Sequence, residues 1–451
     1  NPLFIEVMSR GTGNRASGWQ IVPAHYMKQY HYKYTDKYTA ADTADLIDRW
    51  TNREKYPDMP HMGPWITKEV RFGERIILER NPYYWKVDPE GKQLPYMDEM
   101  QYREVQNPEL LVLASIEGEI DFLMRGYMIK DVAVLKENEE KGNYEIRMWQ
   151  QGDVAATGID IHYCYPDTSI ADLLWDERFR RAMSVAIDRQ RILDVVFLGL
   201  ARIRQKAMYS SGPEFQSERG QRILKEWESR WTEHDPDQAM AWLDEIGVVD
   251  VDGDGFREKP DGTPLELIID VDVKNAAAVE SMQLVQDDFS KVGLRLSLNV
   301  CDATMIAQRI QTCELMMNEY GGAASGLYIA QGYWAPVEDT GYTITGTPYG
   351  KWYQTGGKAG LPPPPGSFIE KLQDAYTRAI SISDEQARHE ATLDGYELHL
   401  EYGPIMIGIV GERRMPVLVR KNLKNVPQDG LIGSGVYGYP GTADPEQWYW
   451  A

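Results

Sequence analysis

Residues 176–201 read DERFRRAMSVAIDRQRILDVVFLGLA. Phe179, Ala182, Met183, Ala186, Ile187, Leu193, Val196 and Phe197 recur at steps of three and four, with Arg and Asp between them. That spacing lines the apolar set along one stripe of a helix, so it predicts one long amphipathic helix over 176–197 with its charges on the opposite face. Further along, Pro236–Ile246 and Ala276–Val292 read as helices, and β-rich runs at Leu265–Val273 and Leu294–Val300 follow them. The alternation makes 155 to about 320 an α/β unit.

The first 150 residues are also mixed. A loop-rich start at Gly11–Gly18 precedes a helical pattern from Ala40 to Trp50. Strand-like runs at Trp65–Val70 and Arg75–Glu79 flank a Phe-Gly turn, and 100–106 alternates like a third strand. NPELLVLASIEGEIDFL at 107–123 reads as an Asn-Pro start, a helix through Ile116, a Gly stop and a short strand at Ile120–Leu123. From Gly321 to Gly366 the composition turns to Gly, Tyr, Trp, Thr and Pro, closing in LPPPPG. A stretch that long without helical period reads as a functional loop. Helices at about 367–381 and 384–402, an apolar strand PIMIGIVG and a tail ending in QWYW complete the chain.

The 451 residues have room for two or three domains, and 69 Asp and Glu against 48 Lys and Arg give a net charge of -21. Nucleic acid and anionic membrane surfaces would be repelled, whereas a neutral or cationic ligand fits. The 27 Tyr and 13 Trp against 9 Phe favour flat surfaces with a polar handle, which suit wet binding sites. No apolar run is long enough to span a membrane, and the opening NPLFIEVMSRG has no signal-peptide pattern. Cys164, Cys301 and Cys313 read as buried small hydrophobes with at most one bridge.

Chemical motifs are sparse. Asp250, Asp252, Asp254 and Gly255 occupy positions one, three, five and six of a calcium-loop template, with Asp261 at twelve. The twelfth position normally takes the longer Glu, and Pro260 and Gly262 break the helix that should follow, so an acidic turn without metal is the expectation. GTGNRA at 11–16 half-matches a dinucleotide fingerprint but runs into SGWQIVP, which cannot make the required helix. There is no GxSxG, P-loop or HExxH, and the seven His are scattered singly. Acid pairs such as Glu119 and Asp121 are ordinary in so acidic a chain.

GPW at 63–65, GERIILERNPYYWKVDPEGKQLPYMD at 73–98, LLVLASIEGEIDF at 110–122, the 176–201 stretch and VDVDGDGFREKPDGTPLELII at 249–269 occur in that order. Together they resemble the family 5 extracellular solute-binding proteins, the oligopeptide and oligosaccharide receptors of ABC importers. The resemblance implies a bilobal α/β fold of the class II periplasmic-binding-protein type. One lobe is expected at 1–152 plus 410–451, the other at 153–409 including the aromatic loop 321–366, with hinges near Asp153–Ile159 and Met406–Val410. Members carry a further stretch before the point where this chain starts, so the first lobe is expected to be incomplete at its N-terminus.

The resemblance further implies a monomeric receptor in the periplasm or at the cell surface, lipid-anchored in some full-length forms, that hands its ligand to a membrane ABC permease. It uses no cofactor and is not an enzyme. The DPEG insertion at 88–91 and YGKWYQTGGKAG at 349–360 lean toward an oligosaccharide ligand, with oligopeptide as the alternative. A carbohydrate-active hydrolase using two carboxylates is the competing class. Peptide receptors of this family often anchor the ligand's amino terminus with an Asp, where CELMMNEYGG here offers Asn318 and Glu319. A sugar site wants flat aromatic faces and planar polar groups. Tyr320, Tyr328, Tyr333, Trp334, Trp352 and Tyr353 are the candidates for the first, and Asn318, Glu319 and, from the other lobe, Arg125 for the second. Trp334 leads, because it sits between Gly332 and Pro336 with no element pattern to give it a core, and its loss is expected to leave folding intact.

Overall fold

The computed structural model describes residues 23–51, 55–60, 62–105, 107–152, 155–321, 334–339, 345–432 and 443–451. Strands β1 (Trp65–Arg71), β2 (Arg75–Arg80), β3 (Glu99–Arg103), β4 (Phe122–Leu123) and β5 (Tyr144–Gln151) come first. Then follow β6 (Thr157–Ile161), β7 (Arg202–Ile203), β8 (Glu266–Asp272), β9 (Arg295–Cys301), β10 (Met317–Glu319) and β11 (Ile407–Gly411). The chain closes with β12 (Arg414–Arg420), β13 (Leu423–Lys424), β14 (Leu431–Ile432) and β15 (Tyr449–Trp450). Two compact units result, one spanning Gly152–Arg413 and the other Leu3–Gln151 with Arg414–Ala451.

In the second of these units, β1, β2 and β3 form an antiparallel meander whose first turn needs the positive φ of Gly73. A separate sheet of order β14-β5-β12-β4 buries Trp149, Val417 and Val419 with Trp448. In the other unit a six-stranded sheet has the order β7-β11-β6-β10-β8-β9. There β8, β9 and β10 run parallel, because the helices Ala276–Lys291 and Ala303–Thr312 cross back between them, while β6 is antiparallel to both β10 and β11. Leu267, Ile269 and Val271 of β8 are fully buried, as are Met282, Val285 and Phe289 of the first crossover helix.

The long helix expected over 176–197 is two helices, Glu177–Ala186 and Arg189–Val195. Asp188 ends the first course and starts the second, its carboxylate accepting from the Arg191 N–H at 3.0 Å. Arg180 and Arg189, expected on the outer face, are each 1% exposed. Arg180 donates to the carbonyls of Leu174, Trp175, Tyr402 and Pro404 at 2.5–2.8 Å. Arg189 donates to Ser184 O at 2.7 Å and Gly408 O at 3.0 Å. Carbonyls at helix ends and loops are open acceptors, which is why a helical-period count alone sends these charges to the wrong face.

The aromatic segment also departs from expectation. It contains a helix, Thr347–Gln354, with Pro in its first turn. Tyr349, Trp352 and Tyr353 fall at helical steps, a period concealed by the surrounding Gly and Pro. Cys164 and Cys313 form a disulfide with their Cα atoms 5.7 Å apart, and Cys301 is a free thiol.

Trp334 does have a core to face. It is 1% exposed and packs edge-on against Tyr396 at 5.4 Å and beside Tyr376 at 5.8 Å, between the helices Phe368–Ser381 and Glu385–Glu401. A Cβ on Gly395 would come within 2.3 Å of the Trp334 ring, so that mid-helix glycine is the imprint of the indole. The Trp334 carbonyl accepts from His399 Nε2 at 2.8 Å, which fixes the tautomer of a ring stacked on Trp227 at 4.5 Å.

Two outcomes follow from this packing. Trp334→Ala is expected to lower unfolding free energy by roughly 3–5 kcal/mol, the cost of emptying a large aromatic site, in a urea titration. An unchanged midpoint would show that the indole is not a core residue. Burial also lowers His399 from its ordinary 6.5 to about 4. The unfolded chain then binds a proton that the folded one refuses, so stability is complete above pH 6.5 and declines as pH falls toward 4, by up to about 3 kcal/mol. His399→Gln keeps an N–H donor without that proton and is expected to flatten this part of the pH curve; an identical curve would exclude His399 as its source.

Candidate functional site

The site is built on β6 and β10 of the Gly152–Arg413 unit. TGIDIHY at 157–163 alternates short or polar residues with Ile, and β6 lies between β10 and β11 with all five residues buried. Asn318 pairs with Asp160 on β6 and with Asp270 on β8, and Asp270 pairs with Asn299 on β9. Because registered partners share a face, these four make one polar row across four strands.

Each member of the row is answered. Lys206 Nζ reaches Asp160 Oδ1 at 2.5 Å and the Tyr320 carbonyl at 2.8 Å. Burial raises the Asp160 carboxyl, and the Lys206 ammonium opposes that rise. His162 Nε2 meets Asn318 Oδ1 at 2.6 Å; since that oxygen can only accept, Nε2 carries the proton. Burial pushes His162 down, which keeps the ring neutral. Asp270 pairs with Arg309, accepts from Asn299 Nδ2 at 3.1 Å and lies 3.7 Å from Cys301 Sγ.

Glu319 belongs to the opposite face, registered with Ile159. It is 5% exposed, and its Oε1 accepts from the Thr157 hydroxyl at 2.8 Å. Burial lifts its carboxyl to about 7, against the pull of the Thr157 hydrogen bond, Lys206 and Arg413, with Asp160 adding to the rise. Such a group can both donate and accept near neutral pH, which an ordinary exposed carboxylate cannot. Tyr320 continues the edge, half-buried, with its N–H on Gly158 O at 3.0 Å and its ring 5.3 Å from Lys206 Nζ.

Of the residues expected at a ligand site, Asn318 and Glu319 lie on β10 with their side chains on opposite faces of the sheet, and Tyr320 follows directly after. Trp334 is in the core described above. Trp352 and Tyr353 lie on the Thr347–Gln354 helix, where the Tyr353 hydroxyl bonds Thr377 Oγ1 at 2.9 Å and its ring meets Tyr376, so Tyr353 packs on the next helix. Arg125 is exposed in the other unit, and Tyr328 and Tyr333 lie outside the described residues. Thr157, Asp160, His162 and Lys206 were not anticipated. Asp160 and His162 had a signal, two titratable residues alternating with Ile159 and Ile161.

The acidic turn is closed on itself. Asp250 accepts from the N–H groups of Gly253 and Gly255, Asp252 from Asp254, and Asp254 from Phe256, at 2.7–3.0 Å. The three exposed carboxylates have oxygens within 4.8 Å of one another, but Asp261 is outside that group and bonds Thr263. The carboxylates bond the turn's own backbone, and Asp254 Oδ2 also accepts from Arg295 at 3.1 Å.

The model of the bacterial extracellular solute-binding proteins, family 5 middle region, matches residues 20–350. The periplasmic alpha-galactoside-binding protein of Rhizobium meliloti is 27% identical over 301 residues, covering 62% of this chain and 40% of that protein. Across three curated relatives the match covers 40–45% of their own length. Among solved structures, an oligopeptide-binding protein OppA is 27% identical with a TM-score of 0.70, covering 95% of this chain and 70% of that one. The periplasmic binding protein MelB of Agrobacterium fabrum, solved with stachyose, is 21% identical with a TM-score of 0.65, covering 96% of this chain and 62% of that one. The fold is that of the periplasmic binding proteins, and with most of its length matched the chain belongs to family 5 of the bacterial extracellular solute-binding proteins.

Proposed function

We propose that the chain binds an oligosaccharide as the extracytoplasmic receptor of an ABC importer. The observation that carries the reading is the buried Glu319 carboxyl, held near neutrality and bonded by the neutral Thr157 hydroxyl at 2.8 Å. A sugar hydroxyl both gives and takes a hydrogen bond, and a carboxyl in this state matches either direction. Lys206, the cation beside the same strand end, is committed to Asp160 and to the Tyr320 carbonyl. The alpha-galactoside-binding relative supports the same ligand class.

The oligopeptide alternative is supported by the likeness to OppA and to the oligopeptide-binding protein AppA of Bacillus subtilis. Catalysis has none among the described side chains, and a flat time course on glycoside substrates is expected. The Cys164–Cys313 bridge fits an oxidising compartment outside the cytoplasm. No described helix is long and apolar enough to cross a membrane, and handing the ligand to a membrane permease is part of the proposal.

Calorimetry with stachyose and with tri-alanine tests the reading. Stachyose is expected to bind and to raise the melting temperature, and Glu319→Ala to weaken it by about 1–3 kcal/mol, the usual cost of removing a buried hydrogen-bonding group. Binding of tri-alanine with no response to stachyose would replace the sugar reading with the peptide one.

A further inference from the structure

A cleft of about 780 Å³ in the Gly152–Arg413 unit is lined by the start of the helix Glu177–Ala186 and by the proline run that leads into Phe368–Ser381. Aromatic rings line it too. Trp175 lies 4.9 Å from Phe368, and Phe368 6.0 Å from Tyr402, ring centre to ring centre. The buried Arg180 guanidinium donates to the carbonyls of both Trp175 and Tyr402, so one cation fixes the backbone under two of the three rings. The Trp175 indole N–H is tied to Tyr163 O at 3.1 Å, and the Tyr402 hydroxyl to Lys371 Nζ. Pro364 and Pro365 are set by the Ser367 N–H on Pro364 O at 3.1 Å and by the positive φ of Gly366. Surfaces held in this way lose little freedom when a ligand lies against them.

Asp176, Glu177, Arg178 and Arg180 line the same cleft, two acids against two arginines, so it has no net charge in a chain whose net charge is -21. A charged ligand gains little from that sum. Asp176 and Arg178 meet as a fork, Nε on Oδ1 at 3.1 Å and Nη2 on Oδ2 at 2.7 Å, and Oδ1 also accepts the Arg178 backbone N–H at 2.8 Å. Among the described residues these bonds use two of the five guanidinium donors and three of about four acceptor directions on the carboxylate. Donors and an acceptor are left side by side, on an arginine side chain that is 43% exposed.

We propose that this cleft is a separate oligosaccharide-binding site, in which a sugar ring lies against Trp175 and Tyr402 while its hydroxyls bond the Asp176–Arg178 pair. A sugar ring brings an apolar C–H face to the aromatics and hydroxyls that both donate and accept, so it answers a donor and an acceptor standing together. A proline-rich strand would also suit aromatic and proline surfaces, but its prolines have no N–H to give Asp176. A purely apolar ligand would cover the pair and leave it unanswered. The cleft is not the site at the end of β10. Glu319 bonds Thr157 at the first residue of β6, whereas Tyr163, whose ring meets Trp175 at 5.1 Å, comes just past the last. The strand between them spans about 13 Å, at roughly 3.3 Å per residue. The inference goes beyond the receptor reading and does not rest on it.

The test is fluorine NMR of the full chain labelled with fluorotryptophan, the Trp175 signal being the one absent from Trp175→Phe. Stachyose and maltotriose are titrated into the millimolar range, and at least one is expected to move that signal saturably. Arg178→Ala leaves the Asp176 cap and the ring cluster in place, and at an unchanged melting temperature it is expected to weaken the response by about tenfold or more, as loss of hydrogen bonds from a charged group implies. Glu319→Ala is expected to leave the response as it is. If neither sugar moves the signal, the proposal is overturned, whatever calorimetry finds at Glu319. A response lost in Glu319→Ala and intact in Arg178→Ala also overturns it and leaves the receptor reading standing, because the ring then senses sugar held at the end of β10. A response to hexaproline and to neither sugar overturns it in favour of a proline-rich peptide. A sugar response that needs Arg178, in a chain whose calorimetry shows no sugar site dependent on Glu319, upholds the cleft and sinks the reading at Glu319.

Discussion

Arg180 and Arg189 carry their charges into the interior of the Gly152–Arg413 unit and direct them at backbone carbonyls. A desolvated guanidinium costs several kcal/mol unless its N–H groups are met, so its acceptors are as tightly constrained as the cation itself. The acceptors from farther along the chain are Tyr402 O and Pro404 O for Arg180, and Gly408 O for Arg189. Two helices near the middle of the chain thereby fix residues more than two hundred positions later. Burial pulls Arg189 down to about 9, which still leaves it charged at neutral pH. The segment held in this way enters β11, and β11 pairs with β6 through Ile407–Ile159, Gly408–Gly158 and Val410–Thr157.

From there the constraint passes to the site through two glycines. A Cβ on Gly408 would come within 2.2 Å of Lys206 N, and one on Gly158 within 2.7 Å of Ile407 O and 3.6 Å of Lys206 Cδ. The backbone at 205–206 therefore lies directly against β11, and the Lys206 stem passes Gly158 of β6 at van der Waals distance. Along that path the ammonium reaches both Asp160 and the Tyr320 carbonyl. The buried ion pair and the position of the first residue after β10 thus have one cause, the close approach of two backbones.

The alternating elements were legible because their apolar periods are local. The helices at Pro236–Glu245 and Ala276–Lys291 and the strands β8 and β9 appear within two residues of their expected bounds. What misled were features whose cause lies elsewhere in the chain. The break at Ile187–Asp188 serves an inward Arg189, whose acceptor Gly408 O is far away in sequence. The indole of Trp334 looked stranded because its core is supplied by helices that start at Phe368 and Glu385, and only Gly395 hinted at it. Within the site, Asn318, Glu319 and Tyr320 were legible as polar and aromatic residues on one short run. Lys206 was not, since nothing near it in the sequence marks a lysine that will be wholly buried.

The polar row itself raises a question of cost. Replacing a buried ion pair by apolar groups is often neutral or stabilising, so Asp160, Asn318 and Asp270 are weakly explained by stability. Register explains them better. β10 has only three residues, Met317–Glu319, too few for its ladder hydrogen bonds to resist slipping by themselves. A slip of one residue would turn Asn318 to the other face, and a slip of two would keep the faces while separating Asn318 from His162 and from its neighbours Asp160 and Asp270. Either leaves buried polar groups unanswered, which costs far more than the lost ladder bonds. With the row in place, Glu319 comes to rest opposite Ile159 and within 2.8 Å of the Thr157 hydroxyl. The charges on one face of the sheet therefore decide where the carboxyl on the other face stands.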